Sequence, residues 1–280
     1  MVEGHSFDAA PDERELLHVT HPTLAEVVAS LAAEDGALAL DAPPSWSQGR
    51  TLYGGMTAAL GWAAATRLFS DLPPLRSVQA AFVGPASGRL NLQPVILRQG
   101  RSATTVGVDV RSDAGLAARL TFFCGAARPS KVMHERVQAP AVPPPASLPQ
   151  VLGAGQGPIF AANFDIRHVS GGLPFSGGPP EFAMWARLSA HEETDPLVAL
   201  LALADVLPPA AMPVFPEFGV ISSLSWSFDL DCLPRDAGAW YLCRATSEST
   251  GEGYSRQSMD LFDETGQRLL AGRQTVAIFV

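Results

Sequence analysis

The chain has 280 residues, 47% hydrophobic and 17% charged, a balance that supports an ordered globular protein and excludes a disordered one. A formal net charge of -9, one lysine (Lys131) and scattered arginines exclude a nucleic acid as partner, because phosphate binding needs basic surface. Cys124, Cys232, Cys243 and the six histidines lack metal-type spacing, so neither a zinc site nor a disulfide framework is expected, and a reducing compartment is.

Residues 1–20 read as a polar, acidic leader without the charged and apolar regions of a signal peptide. Leu24 to Leu31 then forms a short helix behind Thr23 as N-cap, and Ala37 to Asp41 a first strand. Gly54-Gly55 opens an alanine-rich helix, about Met56 to Phe69, that stops before Leu72-Pro73-Pro74. Its small residues on nearly every side suit a helix enclosed by a curved sheet. Four strands follow, near 76–83, 88–98, 101–111 and 115–124, with period-two alternation at Val106, Val108 and Val110. Asp113-Ala114-Gly115 makes a hairpin turn.

Residues 126–158, with Pro140, Pro143, Pro144, Pro145 and Pro149, read as an extended, semi-rigid linker. Beyond it, Phe160–His168 and Glu181–Arg187 are predicted strands, and Pro196 to Val206 a helix stopped by Leu207-Pro208-Pro209. The apolar run Leu197 to Leu207 is too short to span a bilayer and carries Asp205, so a cytoplasmic protein without a membrane span is expected. Four more strands, near 219–230, 239–248, 252–263 and 267–279, complete the chain. Ser170-Gly171-Gly172 and Ser176-Gly177-Gly178 lack a P-loop signature and read as a flexible loop, which could serve as a lid.

The two halves repeat each other. Ser77-Val78-Gln79-Ala80-Ala81-Phe82 aligns with Ser223-Leu224-Ser225-Trp226-Ser227-Phe228, Gly100-Arg101-Ser102 with Gly253-Tyr254-Ser255, and the Asp113 turn with Asp263-Glu264-Thr265-Gly266. Each unit is an α+β module, one apolar helix and a long antiparallel sheet, and wrapping the sheet around the helix buries both apolar faces. That is a hotdog, and the expected architecture is a tandem double hotdog: residues 1–125, the linker 126–158, and residues 159–280. Joining the two sheets edge to edge removes two exposed strand edges.

Several segments then carry a resemblance. Gly49-Arg50-Thr51-Leu52-Tyr53-Gly54-Gly55-Met56 resembles the first-helix entry of TesB-like acyl-CoA thioesterases, and Leu201 to Asp205 their second-domain helix. Trp240-Tyr241-Leu242, Gly253 to Arg256 and Leu269 to Gln274 are similar to their final strands. The resemblance implies an acyl-CoA substrate, no cofactor, and an Asp, a hydroxyl residue and a Gln that activate water. Asp205 and Gln274 match directly. The family's Thr, closely followed by an Asp-His pair, is replaced here by Ile221-Ser222-Ser223-Leu224, with Ser223 first choice and Ser222 second.

The chemistry can also be argued without the resemblance. Thioester hydrolysis needs a base for water, donors for the oxyanion and an apolar groove. Asp205 follows an all-apolar run, where desolvation raises a carboxyl toward a useful base, although a solvent-facing Asp at a helix end is the plain alternative. Gln274 suits orienting a water, although without the resemblance an ordinary outward-facing strand position is the favoured reading. Tyr53, Gly54, Gly55 and Ser222 are the expected substrate contacts, since a bare glycine helix start admits close approach. A non-catalytic acyl-binding module and a hotdog hydratase or dehydratase are the competing functions. Hotdog units usually pair, and a homodimer of the fused chain is a further option.

Overall fold

The computed structural model describes residues 21–134, 137–151 and 157–280, so the leader and parts of the linker lie outside the described residues. Helix α1 (Leu24–Ala29) starts at Thr23 in a reciprocal capping box: the Glu26 N–H donates to Thr23 Oγ1, and the Thr23 N–H to the Glu26 carboxylate. Strands β1 (Ala32–Glu34) and β2 (Ala37–Asp41), a small hairpin of β3 (Ser47–Gln48) and β4 (Thr51–Leu52), and helix α2 (Gly54–Leu68) follow. The first meander is β5 (Leu75–Phe82), β6 (Arg89–Gln99), β7 (Ala103–Ser112) and β8 (Gly115–Gly125). The second half has β9 (Phe164–Gly171), β10 (Glu181–Leu188), helix α3 (Pro196–Leu203), β11 (Val220–Leu230), β12 (Tyr241–Gly251), β13 (Tyr254–Asp263) and β14 (Arg268–Phe279).

Two expectations are corrected. Phe160 does not begin a strand: residues 159–163 form a 3-10 turn after Pro158, and the Phe160 ring stacks on Tyr53 at 4.2 Å. Helix α3 ends at Leu203 rather than Val206, with Ala204 as C-cap, so Asp205 lies in the turn beyond the helix. The described stretches of the linker pack against the second half. Val137, Ala139, Val142 and Leu148 pack on Ala183, Trp185, Leu242 and Phe262, and the Trp185 indole N–H donates to the Pro143 carbonyl. The glycine-rich loop is likewise anchored, with the Phe175 and Gly177 N–H groups donating to the carbonyls of Met212 and Pro213.

Among the described residues one antiparallel sheet of 12 strands runs β1-β2-β6-β7-β8-β5-β11-β14-β13-β12-β10-β9. Its centre is the pairing of β5 with β11, which turns two would-be edges into an interior seam. Ala80 and Trp226, which the repeat aligns, sit directly opposite each other there, so the seam lies on the two-fold relating the halves. The Ser77 hydroxyl reaches across it and donates to the Phe228 carbonyl at 3.1 Å.

Both helices lie inside the curve. Every residue of α2 from Gly55 to Ala65 is buried, and so is every residue of α3 from Val198 to Leu203. A single hydrophobic core runs through both halves, from Leu24 and Leu60 to Leu200 and Leu270. No helix among the described residues is long and apolar enough to cross a membrane. A shared core predicts shared unfolding. Phe122→Ala in the first half and Phe228→Ala in the second, both nearly fully buried, should each cost about 3–5 kcal/mol. Each should move the same single urea transition, and two independently shifting transitions would contradict a common core.

Candidate active site

Asp205 is set by two turns of chain geometry. Helix α3 terminates against Ala204, whose N–H donates to the Leu200 carbonyl, and the next residue swings toward the start of α2 in the other half. Tyr53, the N-cap residue of α2, supplies no side-chain cap, so the first N–H groups of that helix are left for another acceptor. Asp205 supplies it: the Gly55 N–H donates to Oδ2 at 3.1 Å. The positive end of the α2 dipole thereby faces the carboxylate.

Bare glycines make this approach possible. A Cβ at Gly54 would stand 2.6 Å from Asp205 Oδ2 and 2.8 Å from the Phe82 ring, and one at Gly55 would stand 2.4 Å from the Ala202 carbonyl oxygen. Tyr53 fastens the same junction from behind. Its hydroxyl donates to the Ala202 carbonyl at 2.6 Å, while its ring packs between Trp46 and Phe160.

The opposite wall is the β11–β14 pair. Gln274 is buried on the inward face of β14, and its Nε2 donates both to Asp205 Oδ1 and to Ser223 Oγ, each at 2.9 Å. Ser223 reaches that face through a β-bulge. The register slips between Ser223 and Ser225, leaving Leu224 as the extra residue, so Ser223 and Trp226 both point inward although three positions apart. Behind Gln274, the buried Gln257 of β13 donates from Nε2 to Gln274 Oε1 at 2.7 Å, and its own Oε1 accepts from the Ala210 N–H at 2.7 Å.

Burial pushes the Asp205 carboxyl up to about 7, against the opposing pull of hydrogen bonds from Gln274, Gly55 and Gly54. The residue is only partly covered and keeps surface open to solvent. Cys243 and Cys124 are not nucleophile candidates, since burial holds both thiols well above their ordinary range, Cys124 at about 11. No group of three or more His, Cys, Asp or Glu among the described residues is arranged to hold a metal ion.

The structure therefore brings together Asp205, Ser223, Gln274, Gly54 and Gly55. It does not bring Tyr53 or Ser222 into that cluster. Tyr53 is 1% exposed with its hydroxyl committed to Ala202, so it positions α2 and cannot touch a substrate. Ser222 is exposed on the opposite face of β11, as strand alternation requires of Ser223's neighbour. Gln257 was missed by the sequence reading. Its signal was there: Gln257 shares the inward phase of β13 with Ser255, Met259 and Leu261.

Two antiparallel sheets, each curled around a helix and sharing one seam, define a double hotdog, with a carboxylate, a hydroxyl and an amide meeting where the halves join. The chain matches the acyl-CoA thioesterase C-terminal domain over residues 136–278 and the acyl-CoA thioesterase N-terminal domain over residues 42–125. It belongs to the acyl-CoA thioesterase family defined by those two domains, and it is a thioester hydrolase. A conserved hotdog-fold protein of unknown function from Alicyclobacillus acidocaldarius superposes with a TM-score of 0.80 at 21% identity, covering 94% of this chain and 99% of that one. The tesB protein of Mycobacterium avium subspecies paratuberculosis gives 0.74 at 18%, covering 92% and 100%. The acyl-CoA thioesterase II TesB2 from Mycobacterium marinum gives 0.73 at 18%, covering 91% and 98%. At these identities the likeness carries the fold. No curated protein matches the sequence significantly.

Two outcomes test the junction. Gly55→Ala forces a methyl against the Ala202 carbonyl and should lower stability by about 1–3 kcal/mol, read as a fall in the thermal midpoint. The Asp205 carboxyl titrates higher folded than unfolded, so the folded state holds the extra proton between about pH 4 and 7. Stability attributable to this group is greatest below pH 4, falls across that window, and stays low above pH 7. Subtracting the stability of Asp205→Asn from that of the wild type at each pH isolates the trend, and a difference that is flat or rises with pH would refute it.

Proposed function

We propose that this protein hydrolyses acyl-CoA to free CoA and a carboxylic acid by base-activated water, with Asp205 as the base and Ser223 and Gln274 holding the water. The observation that carries this reading is the carboxyl of a half-buried residue, held at about 7 by burial and hydrogen-bonded to the same amide that reaches Ser223. A general base titrating near neutrality combines an ionised population with real proton affinity. Because Ser223 Oγ already accepts from Gln274, the serine O–H is left to donate.

Water placed between Asp205 and Ser223 loses a proton to the carboxylate as its oxygen attacks the thioester carbonyl carbon. The positive end of the α2 dipole favours the charge that develops on the carbonyl oxygen, while the Gly54 and Gly55 N–H groups stay on the carboxylate. Collapse of the tetrahedral intermediate breaks the C–S bond, and the proton held by Asp205 passes to the departing sulfur, giving the CoA thiol. The acid leaves as a carboxylate once its proton is lost to solvent. Histidine does not hydrogen-bond to Asp205, Ser223 or Gln274 among the described residues, which disfavours the hydratase alternative.

The same reading takes residues 1–125 and 159–280 as the two hotdog units joined by 126–158, places the enzyme in the cytoplasm, and allows a homodimer of the fused chain. Equilibrium sedimentation reports that last property.

Free-thiol release across a panel of acyl-CoA chain lengths tests the activity. Asp205→Asn should lower kcat by about 10²–10⁴-fold with little change in KM. In the wild type kcat should climb with pH through about 7 and then level, as the carboxylate form accumulates. A wild-type protein that binds acyl-CoA but releases no thiol from any member of the panel would make it a binding module instead.

A further inference from the structure

We propose that Gln257 is a positioning residue that sets which way the Gln274 amide points, and so whether Asp205 and Ser223 face a donor or an acceptor. The inference rests on the thioesterase reading of the site and extends it by one residue that does not touch substrate.

A glutamine side chain has an acceptor end and a donor end of nearly the same shape, and its neighbours decide between the two orientations. Gln274 contacts Asp205, whose ionised form only accepts, and Ser223, whose hydroxyl can do either. The remaining contact is Gln257, an amide with the same ambiguity. What breaks the tie is the backbone N–H of Ala210, which can only donate. It fixes Gln257 Oε1 toward itself, which turns Gln257 Nε2 toward Gln274, which in turn makes Oε1 the Gln274 atom that accepts. Gln274 Nε2 is then the end presented to Asp205 and Ser223. One main-chain N–H thus dictates polarity through two buried amides to the carboxylate.

Position makes the arrangement stringent. Gln257 and Gln274 are 1% and 5% exposed, and they lie directly opposite each other across the β13–β14 pair. In that setting a wrongly turned amide cannot be rescued by solvent and would set oxygen against oxygen. The Ala210 anchor sits just past Leu207-Pro208-Pro209, in the segment that leads away from Asp205 itself. The base and the group that orients its partner are therefore five residues apart on one stretch of chain.

Gln257→Met keeps the volume of the side chain and removes its polarity, and Gln257→Leu provides a second variant should the first fold poorly. For the folded variant, kcat should fall about 10-fold, KM should stay within about two-fold, and the pH midpoint of kcat should rise by about one unit, because the carboxylate loses an oriented donor. Carbon-13 carboxyl titration of Asp205 should move upward by the same amount, whether or not any acyl-CoA tried is turned over. Loss of thermal stability with the kinetic midpoint and the Asp205 titration unchanged would reduce Gln257 to core filling and overturn the inference. Absence of wild-type turnover would instead remove the thioesterase reading, while the Asp205 titration still decides the positioning claim.

Discussion

Asp205 sits at the beginning of a helix that it does not belong to, and the arrangement of the two halves follows from keeping it there. Moving a carboxylate out of water costs several kcal/mol unless charge or hydrogen bonds compensate. Here the compensation comes from the other half of the chain, as the Gly55 N–H and the dipole of α2, and from the last strand, as the Gln274 amide. It is incomplete. The carboxyl remains at about 7 rather than in the ordinary acid range, which is the condition a base needs and a stabilising ion pair would have removed.

The surrounding packing can be read as what this contact requires. Glycine at 54 and 55 clears the space, Tyr53 clamps the end of α3 through the Ala202 carbonyl, and Phe160 and Trp46 hold the Tyr53 ring. Further along α2, Gly61 lets Leu120 of the sheet come close, since a Cβ there would lie 2.2 Å from the leucine. A helix of larger residues would push the sheet outward and carry the Gly54–Gly55 end away from Asp205. The alanine-rich composition of α2 is thus tied to the position of a carboxylate some 150 residues later in the chain.

Much of this was legible in the sequence because the periodicities were strong. The strands of both meanders, α2 and the internal repeat were placed within a few residues, and Asp205 and Gln274 were paired before any geometry was known. The misses have physical causes. Period-two reasoning assigns Ser223 and Trp226 to opposite faces, and only the bulge at Leu224 reconciles them. Tyr53 was read as a substrate contact because it belongs to the aromatic-Gly-Gly entry of α2, whereas its hydroxyl is tied to a residue 149 positions away. Asp205 was placed inside a helix because the apolar run continues past Leu203, and hydropathy does not register a C-cap. Gln257 was overlooked although its strand phase points it inward, since the polar run Ser255-Arg256-Gln257-Ser258 reads as solvent-facing.

With Leu224 discounted as the extra residue of the bulge, the two-fold at the β5–β11 seam places Val78 where the other half has Ser223, and Leu120 where it has Gln274. Val78 and Leu120 are both wholly interior and apolar. Had two identical polypeptides associated, any substitution at one location would necessarily recur at its image. Encoding both copies in a single chain lifts that duplication: one image can stay valine and leucine while its counterpart carries a hydroxyl and an amide, and division of labour arises within a symmetrical design.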